Sequence, residues 1–239
     1  MKRIGAIILL GLALTPQAAK GGDADELKAL GFSPDGRYFA FEQHGATEGA
    51  TYSATTIVEV ASSRPIRGSR TSYSDEERKR LAKARTAIAK QIKRLKISPK
   101  GFMTVSVRGI DAEPFQEASV KSFALPSSWF GPETWLVLRQ FKLVTQRCKD
   151  TNGSPVGYAL ALQRKDSPAI QLSHETAIPA SRGCPTHYRI AEAHVRRLPD
   201  GAAALVVMIQ DFTPHAGSPN RDFMAVTAMV PPLKTASSQ

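Results

Sequence analysis

From residue 102 onward the chain is a succession of short apolar runs, each cut off by Pro, Gly, Asn or Ser before a helical stripe can develop. The runs span residues 119–125, 134–146, 156–162, 169–172, 188–195, 203–211 and 223–230, with a further one at 102–107. Segments of this kind bury themselves as strands, and short connections between them favour antiparallel neighbours. The expectation is a mainly β (α+β) fold, an antiparallel meander or sandwich-like domain. With 42% hydrophobic and 22% charged residues the composition suits a packed globular chain and argues against disorder.

The N-terminal half repeats the same turn chemistry. Ser33-Pro34-Asp35-Gly36 precedes the alternating run Tyr38-Phe39-Ala40-Phe41, with residues 55–60 as a suitable partner strand. Pro sets the first turn dihedral and Gly takes the positive φ. Ser98-Pro99-Lys100-Gly101 and Leu198-Pro199-Asp200-Gly201 read the same way.

One helix interrupts the strands, over about residues 74–96. Ser74 caps it, Glu77 completes a capping box, and Leu81, Ala84, Ile88, Ile92 and Leu95 make one apolar stripe. Lys79, Lys83, Lys90 and Arg94 fall in a row on its opposite face, which is either a solvated surface or a docking face for an anionic envelope component.

Residues 1–19 have the order of a secretory signal peptide: basic Lys2-Arg3, an uncharged apolar run from Ile4 to Leu14, then Thr15-Pro16-Gln17-Ala18-Ala19. The apolar run is too short to cross a bilayer, and no later stretch is long enough, so no transmembrane span is expected after cleavage. The expected organisation is a signal peptide at 1–19, a single secreted β-rich domain at 20–230 and a flexible tail at 231–239. The expected location is the periplasm or the exterior. There the net charge of +11 would meet an anionic envelope component or another periplasmic protein, and nucleic acid is not expected.

Cys148 and Cys184 are the only cysteines. In an oxidising compartment the simplest outcome is one bridge between them, restricting the unfolded chain by roughly 3–4 kcal/mol. Zinc is the alternative, because Cys184-Pro185-Thr186-His187 has a ligand-like spacing and His194 follows. A regular strand over 187–194 would send His187 and His194 to opposite faces, which argues against a shared metal.

The stretch Gly31-Phe32-Ser33-Pro34-Asp35-Gly36-Arg37-Tyr38-Phe39-Ala40-Phe41-Glu42, with Ile178-Pro179-Ala180-Ser181-Arg182-Gly183-Cys184 and Asn220-Arg221-Asp222-Phe223-Met224-Ala225-Val226, resembles a bacterial family of predicted secreted proteins, domain of unknown function 2259. The resemblance implies export and a Cys148–Cys184 bridge. It implies no activity and no catalytic residue. The Ser-Pro-Asp-Gly-Arg turn alone also resembles a blade motif of secreted β-propellers, but Pro34, Pro99 and Pro199 are unevenly spaced and the helix intervenes.

Motif chemistry is sparse. There is no Gly-x-Ser-x-Gly elbow and no phosphate-binding glycine loop, and His174-Glu175 lacks a second histidine at zinc-protease spacing. No catalytic, cofactor-binding or metal residues are assigned, and no cofactor is expected. Arg182 and Arg189 flank Cys184 and are candidate anion-binding forks, unless acids such as Asp211 or Glu192 pair with them. Trp129 and Trp135 could line a sugar platform or cap a core edge. The functional expectation is a non-enzymatic binding or envelope-associated factor. Its alternatives are a periplasmic enzyme with a site near His187 or His194, and a propeller-like interaction module.

Overall fold

The computed structural model describes residues 26–47, 50–66, 78–106, 120–149, 154–165, 167–179, 182–214 and 220–232. The signal-peptide segment, the helix cap Ser74 with Glu77, and all of the tail beyond Pro232 lie outside them. In chain order the elements are β1 (Glu26–Phe32), β2 (Tyr38–Thr47), β3 (Ala50–Glu59), β4 (Arg64–Pro65), α1 (Arg78–Arg94), β5 (Met103–Ser106), β6 (Val120–Ala124) and α2 (Ser127–Phe130). Then follow β7 (Thr134–Lys142), β8 (Val156–Arg164), β9 (Ile170–Glu175), β10 (His187–Arg197), β11 (Ala203–Thr213) and β12 (Asn220–Val230). Among the described residues no helix is long and apolar enough to cross a membrane.

The strands form three antiparallel sheets of four, in the orders β1-β2-β3-β4, β12-β11-β10-β5 and β6-β7-β8-β9. The second of these is the middle layer, as β11 shows: Ala203 through Phe212 are all buried. Leu205, Val207 and Ile209 pack with Leu136, Leu138, Leu160 and Leu162 of the third sheet. The alternate residues Val206 and Met208 pack with Phe39, Phe41 and Val58 of the first sheet. An uninterrupted apolar run is what a strand covered on both faces requires.

On the far side of the first sheet Ala40 and Ile57 receive Ile88, Ile92 and Leu95, so α1 and its following turn form a fourth layer. The alternation of residues 38–41 therefore separates a helix-facing row, Tyr38 and Ala40, from a row facing the middle sheet, Phe39 and Phe41.

The three Pro-x-Gly turns do not start successive propeller blades. They converge at one end of the layers, where Arg196 donates from Nε to the Pro34 carbonyl (3.2 Å) and from Nη1 to the Lys100 carbonyl (3.2 Å). The turn at Gly36 meets Leu198, at the head of the third turn. A propeller needs at least four blades round a channel. The described strands instead make three sheets, and the last strands in sequence lie in the middle one.

Two local readings change. The run at 134–146 stops as a strand at Lys142, and Gln146–Cys148 turns into a 3-10 helix that delivers Cys148 to its bridge. β1 had no strand signature. Its ladder with β2 is irregular between Ala29 and Gly31, and Gly31 has φ +112° with the Ser98 carbonyl where a Cβ would stand.

Because β11 is buried on both faces, Leu205→Ala and Met208→Ala are each expected to lower the unfolding free energy by about 2–5 kcal/mol. Urea denaturation checks this, and a near-neutral result for either would contradict a middle layer.

Candidate functional site

The apolar run of β11 ends in Gln210-Asp211. By strand alternation Asp211 continues the row of Leu205, Val207 and Ile209 toward the third sheet, and its side chain is only 4% exposed. A carboxylate in such a position needs compensating partners. Its direct neighbours in the ladder are Tyr188 on β10 and Asp222 on β12. Asp222 is a second acid set straight across the strands, an unfavourable pairing when both are ionised. The third sheet faces this point with Tyr158 and Glu175, themselves register partners on β8 and β9.

Arg182 supplies the compensating charge from the loop between β9 and β10. Its Nη1 donates to Glu175 Oε2 and, at 3.3 Å, to the Tyr188 hydroxyl, and its Nε lies 3.6 Å from Asp211 Oδ2. The backbone beneath it is tied down on both sides. Cys184 is bonded to Cys148. Arg147, beside Cys148, donates to the carbonyls of Pro179 (2.7 Å) and Arg182. Gly183 lies so close to Thr213 that a Cβ would stand 2.6 Å from its methyl group, so a larger residue between Arg182 and the bridge would have to displace Thr213. Across the layers, the Gln140 side-chain carbonyl accepts from the Tyr188 amide at 2.6 Å.

This environment shifts the titrating groups. Burial, reinforced by Asp222 and opposed by Arg182, pushes the Asp211 carboxyl from 3.8 up to about 7. Burial likewise pushes the Tyr158 hydroxyl up to about 12 and raises that of Tyr188. Burial works against the Arg182 charge, but Tyr188 and Glu175 outweigh it and hold the guanidinium protonated.

The cluster lines one end of an open cleft of about 560 Å³. The floor is β12, the edge strand of the middle sheet, and the walls are the first sheet on one side and β8 and β9 on the other. Side chains of the first sheet close that edge. Gln43 accepts from the Phe223 amide (3.2 Å), and Ser63 accepts from the Thr227 amide (2.9 Å) and donates to its carbonyl (3.1 Å). Phe41, Phe223 and Met224 add apolar surface, while Ser62, Ser63 and Ser173 add hydroxyls.

The other residues singled out in the sequence do not join this site. Arg189 lies on the opposite face of the middle sheet from Tyr188, donating from Nε to Gln210 (2.6 Å) with its guanidinium 5.5 Å from the Phe212 ring centre. Glu192 sits 3.2 Å from His194.

The parity argument for the two histidines fails. A bulge between Ile190 and Glu192 shifts the register, so His187 opposite Phe212 and His194 opposite Val206 share a face. Their partners are six residues apart, which separates them by about 20 Å along the strand. His194 is buried between Phe39 and Phe102, and His187 stacks on Phe212 at 3.9 Å. Neither lines the cleft.

Cys184 is oxidised in the bridge and offers no thiolate to zinc, and among the described residues no group of three His, Cys, Asp or Glu is placed to hold a metal ion. Lys83, Lys90 and Arg94 are exposed on α1, beyond the first sheet from the cleft, and the Lys79 side chain lies outside the described residues. Trp129 packs against the core with Arg197 5.3 Å from its ring centre.

The family described as a predicted secreted protein, DUF2259, matches residues 40–229, which include both cysteines and the whole lining of the cleft. The chain belongs to DUF2259. No curated protein and no solved structure matches it. The disulfide of this DUF2259 protein agrees with export into an oxidising compartment.

Sequence reasoning named Asp211 only as a partner for Arg182 and passed over Glu175, Tyr158, Tyr188 and Asp222. The available signal was the break from an unbroken apolar run into Gln210-Asp211, which puts a carboxyl at the end of a doubly buried strand.

A raised carboxyl pKa sets the sign of a pH effect. Below about pH 4 Asp211 is protonated in both folded and unfolded chain, and its contribution is fully present. Between about pH 4 and the folded value of about 7 the unfolded chain releases the proton that the folded protein keeps, so stability falls as pH rises and the contribution is gone above that value. Asp211→Asn should flatten this slope and exceed the parent in stability above pH 7, by a few kcal/mol at most on an order-of-magnitude basis. Urea unfolding across that pH range reads it directly.

Proposed function

We propose that this protein is an exported, non-enzymatic binding factor of the bacterial periplasm, with its ligand held in the cleft over β12. The observation that carries the reading is the cleft itself. Its volume of about 560 Å³ falls in the range of small-molecule sites. Its charged end is a network whose members orient one another before any ligand arrives: Arg182 on Glu175 and Tyr188, Tyr188 on Glu175, and Ser173 on Tyr158. Preorganisation of this kind lowers the ordering cost of binding. The signal-peptide pattern of residues 1–19 supports the compartment. An enzyme reading built on His187 or His194 would require one of them in the cleft, and neither lines it.

Native mass spectrometry of the protein recovered from the periplasm tests this. The expected species is a chain cleaved near Ala19 that carries a non-covalent small-molecule adduct, lost in the cleft-filling variant Ser173→Trp. A cleaved chain without adduct, whose melting temperature is unmoved by the small-molecule fraction of the same extract, would overturn the reading.

An envelope-associated role has separate support in the exposed Lys83, Lys90 and Arg94 on α1. Electrostatic attachment through this face is short-ranged and screened by salt. The triple reversal Lys83→Glu, Lys90→Glu and Arg94→Glu should abolish sedimentation with vesicles containing anionic lipid at low salt. Unchanged sedimentation removes this role without touching the cleft.

A further inference from the structure

The cleft carries a charge opposite to that of the chain around it. Among the described residues, its charged end presents three carboxyl groups, those of Glu175, Asp211 and Asp222, against the one guanidinium of Arg182, in a protein of net charge +11. The charge of Arg182 is already offset by acids, since its Nη1 donates to Glu175 and Tyr188 and its Nε lies beside Asp211. Asp222 is exposed, and among the described residues no basic side chain pairs with it.

Asp211 and Asp222 face each other directly across the ladder, and among the described residues no cation pairs with both. A positive group between them would relieve the like-charge pairing and offset the burial of Asp211. A divalent metal does not suit these residues, since no three acids among those described converge on one point. The remaining surface specifies the body attached to the charge: Phe41, Phe223 and Met224 accept a short apolar stretch, and Ser62, Ser63 and Ser173 accept hydroxyls.

Resting on the binding role proposed above, we infer that the cleft takes a small molecule bearing a primary ammonium group, which docks between Asp211 and Asp222. A short alkyl diamine and an amino sugar share this chemistry. Binding is coupled to a proton. Asp211 is faced by Asp222 from β12, Glu175 from β9, Tyr158 from β8, Tyr188 from β10 and Arg182 from the preceding loop. Of these, Asp222 and Glu175 favour its protonated form and Arg182 its charged form. An arriving ammonium group adds to Arg182 and expels the proton.

Isothermal titration of the mature protein with 1,4-diaminobutane, glucosamine, glucose and glucuronate tests the inference. The diamine and the amino sugar separate an alkyl from a hydroxylated body. At least one of the two amines should bind, and the affinity of the diamine, which stays protonated throughout, should rise about tenfold between pH 6 and pH 8. Near neutral pH, titrations in buffers of different ionisation enthalpy should show a proton released. Asp222→Asn should weaken amine binding by about tenfold or more without lowering the melting temperature, and the cleft-filling Ser173→Trp should abolish it. Binding of glucose or glucuronate alone, blocked by Ser173→Trp, would overturn the ammonium inference and leave the binding role standing. Binding by none of the four at millimolar concentration would overturn the ammonium inference, while the binding role stands or falls on the recovered adduct. An amine that binds equally well to Asp222→Asn and at either pH would overturn the proposed docking point.

Discussion

Everything in this molecule is arranged around burying one strand on both faces. β11 gives one row of side chains to the core it shares with the third sheet and the other to the core it shares with the first. Removing either outer sheet would expose a full apolar row of the middle one. That dependence ties together segments far apart in sequence: strands before α1 and strands between β6 and β9 are held in place by the last three strands of the chain. α1 belongs to the same scheme one layer out, since it covers the face of the first sheet that the middle sheet leaves bare.

The site is a consequence of how that doubly buried strand ends. Stacked sheets that stop together would leave a strand end in water, but the third sheet and the loop after β9 still cover β11 at Asp211. A carboxyl kept there is offset by Arg182, and the backbone carrying Arg182 is fixed by the Cys148–Cys184 bridge, the Arg147 hydrogen bonds and the close approach at Gly183. The disulfide therefore does more than shorten the unfolded chain. It sets the position of Arg182 among several acids. At the opposite end of the layers Arg196 gathers the backbone carbonyls of two turns.

The strands after residue 102 were legible because each carries its own apolar pattern and its own breakers, and the turns at Gly36, Gly101 and Gly201 all adopt the positive φ that their Pro-x-Gly spelling suggests. β1 was not legible, because Glu26–Phe32 has a weak alternation and pairs through an irregularity at Gly31 that only the Ser98 contact explains. The two histidines failed for a related reason. One extra residue in β10 reverses the facing of everything beyond it, and a bulge has no dependable spelling in the strand that contains it.

Local sequence alone determined the β-rich class, most strand positions, the helix over its described residues and the two cysteines that form the bridge, since periodicity, turn chemistry and residue count act over short distances. Tertiary structure alone decided that the last strands become the middle layer, that Asp211 faces Asp222 and that Arg182 is spent on Glu175 and Tyr188. Those facts depend on which strand lies beside which and in what register, and the stacking of sheets far apart in sequence is chosen by the global burial of apolar rows rather than by any segment's own pattern.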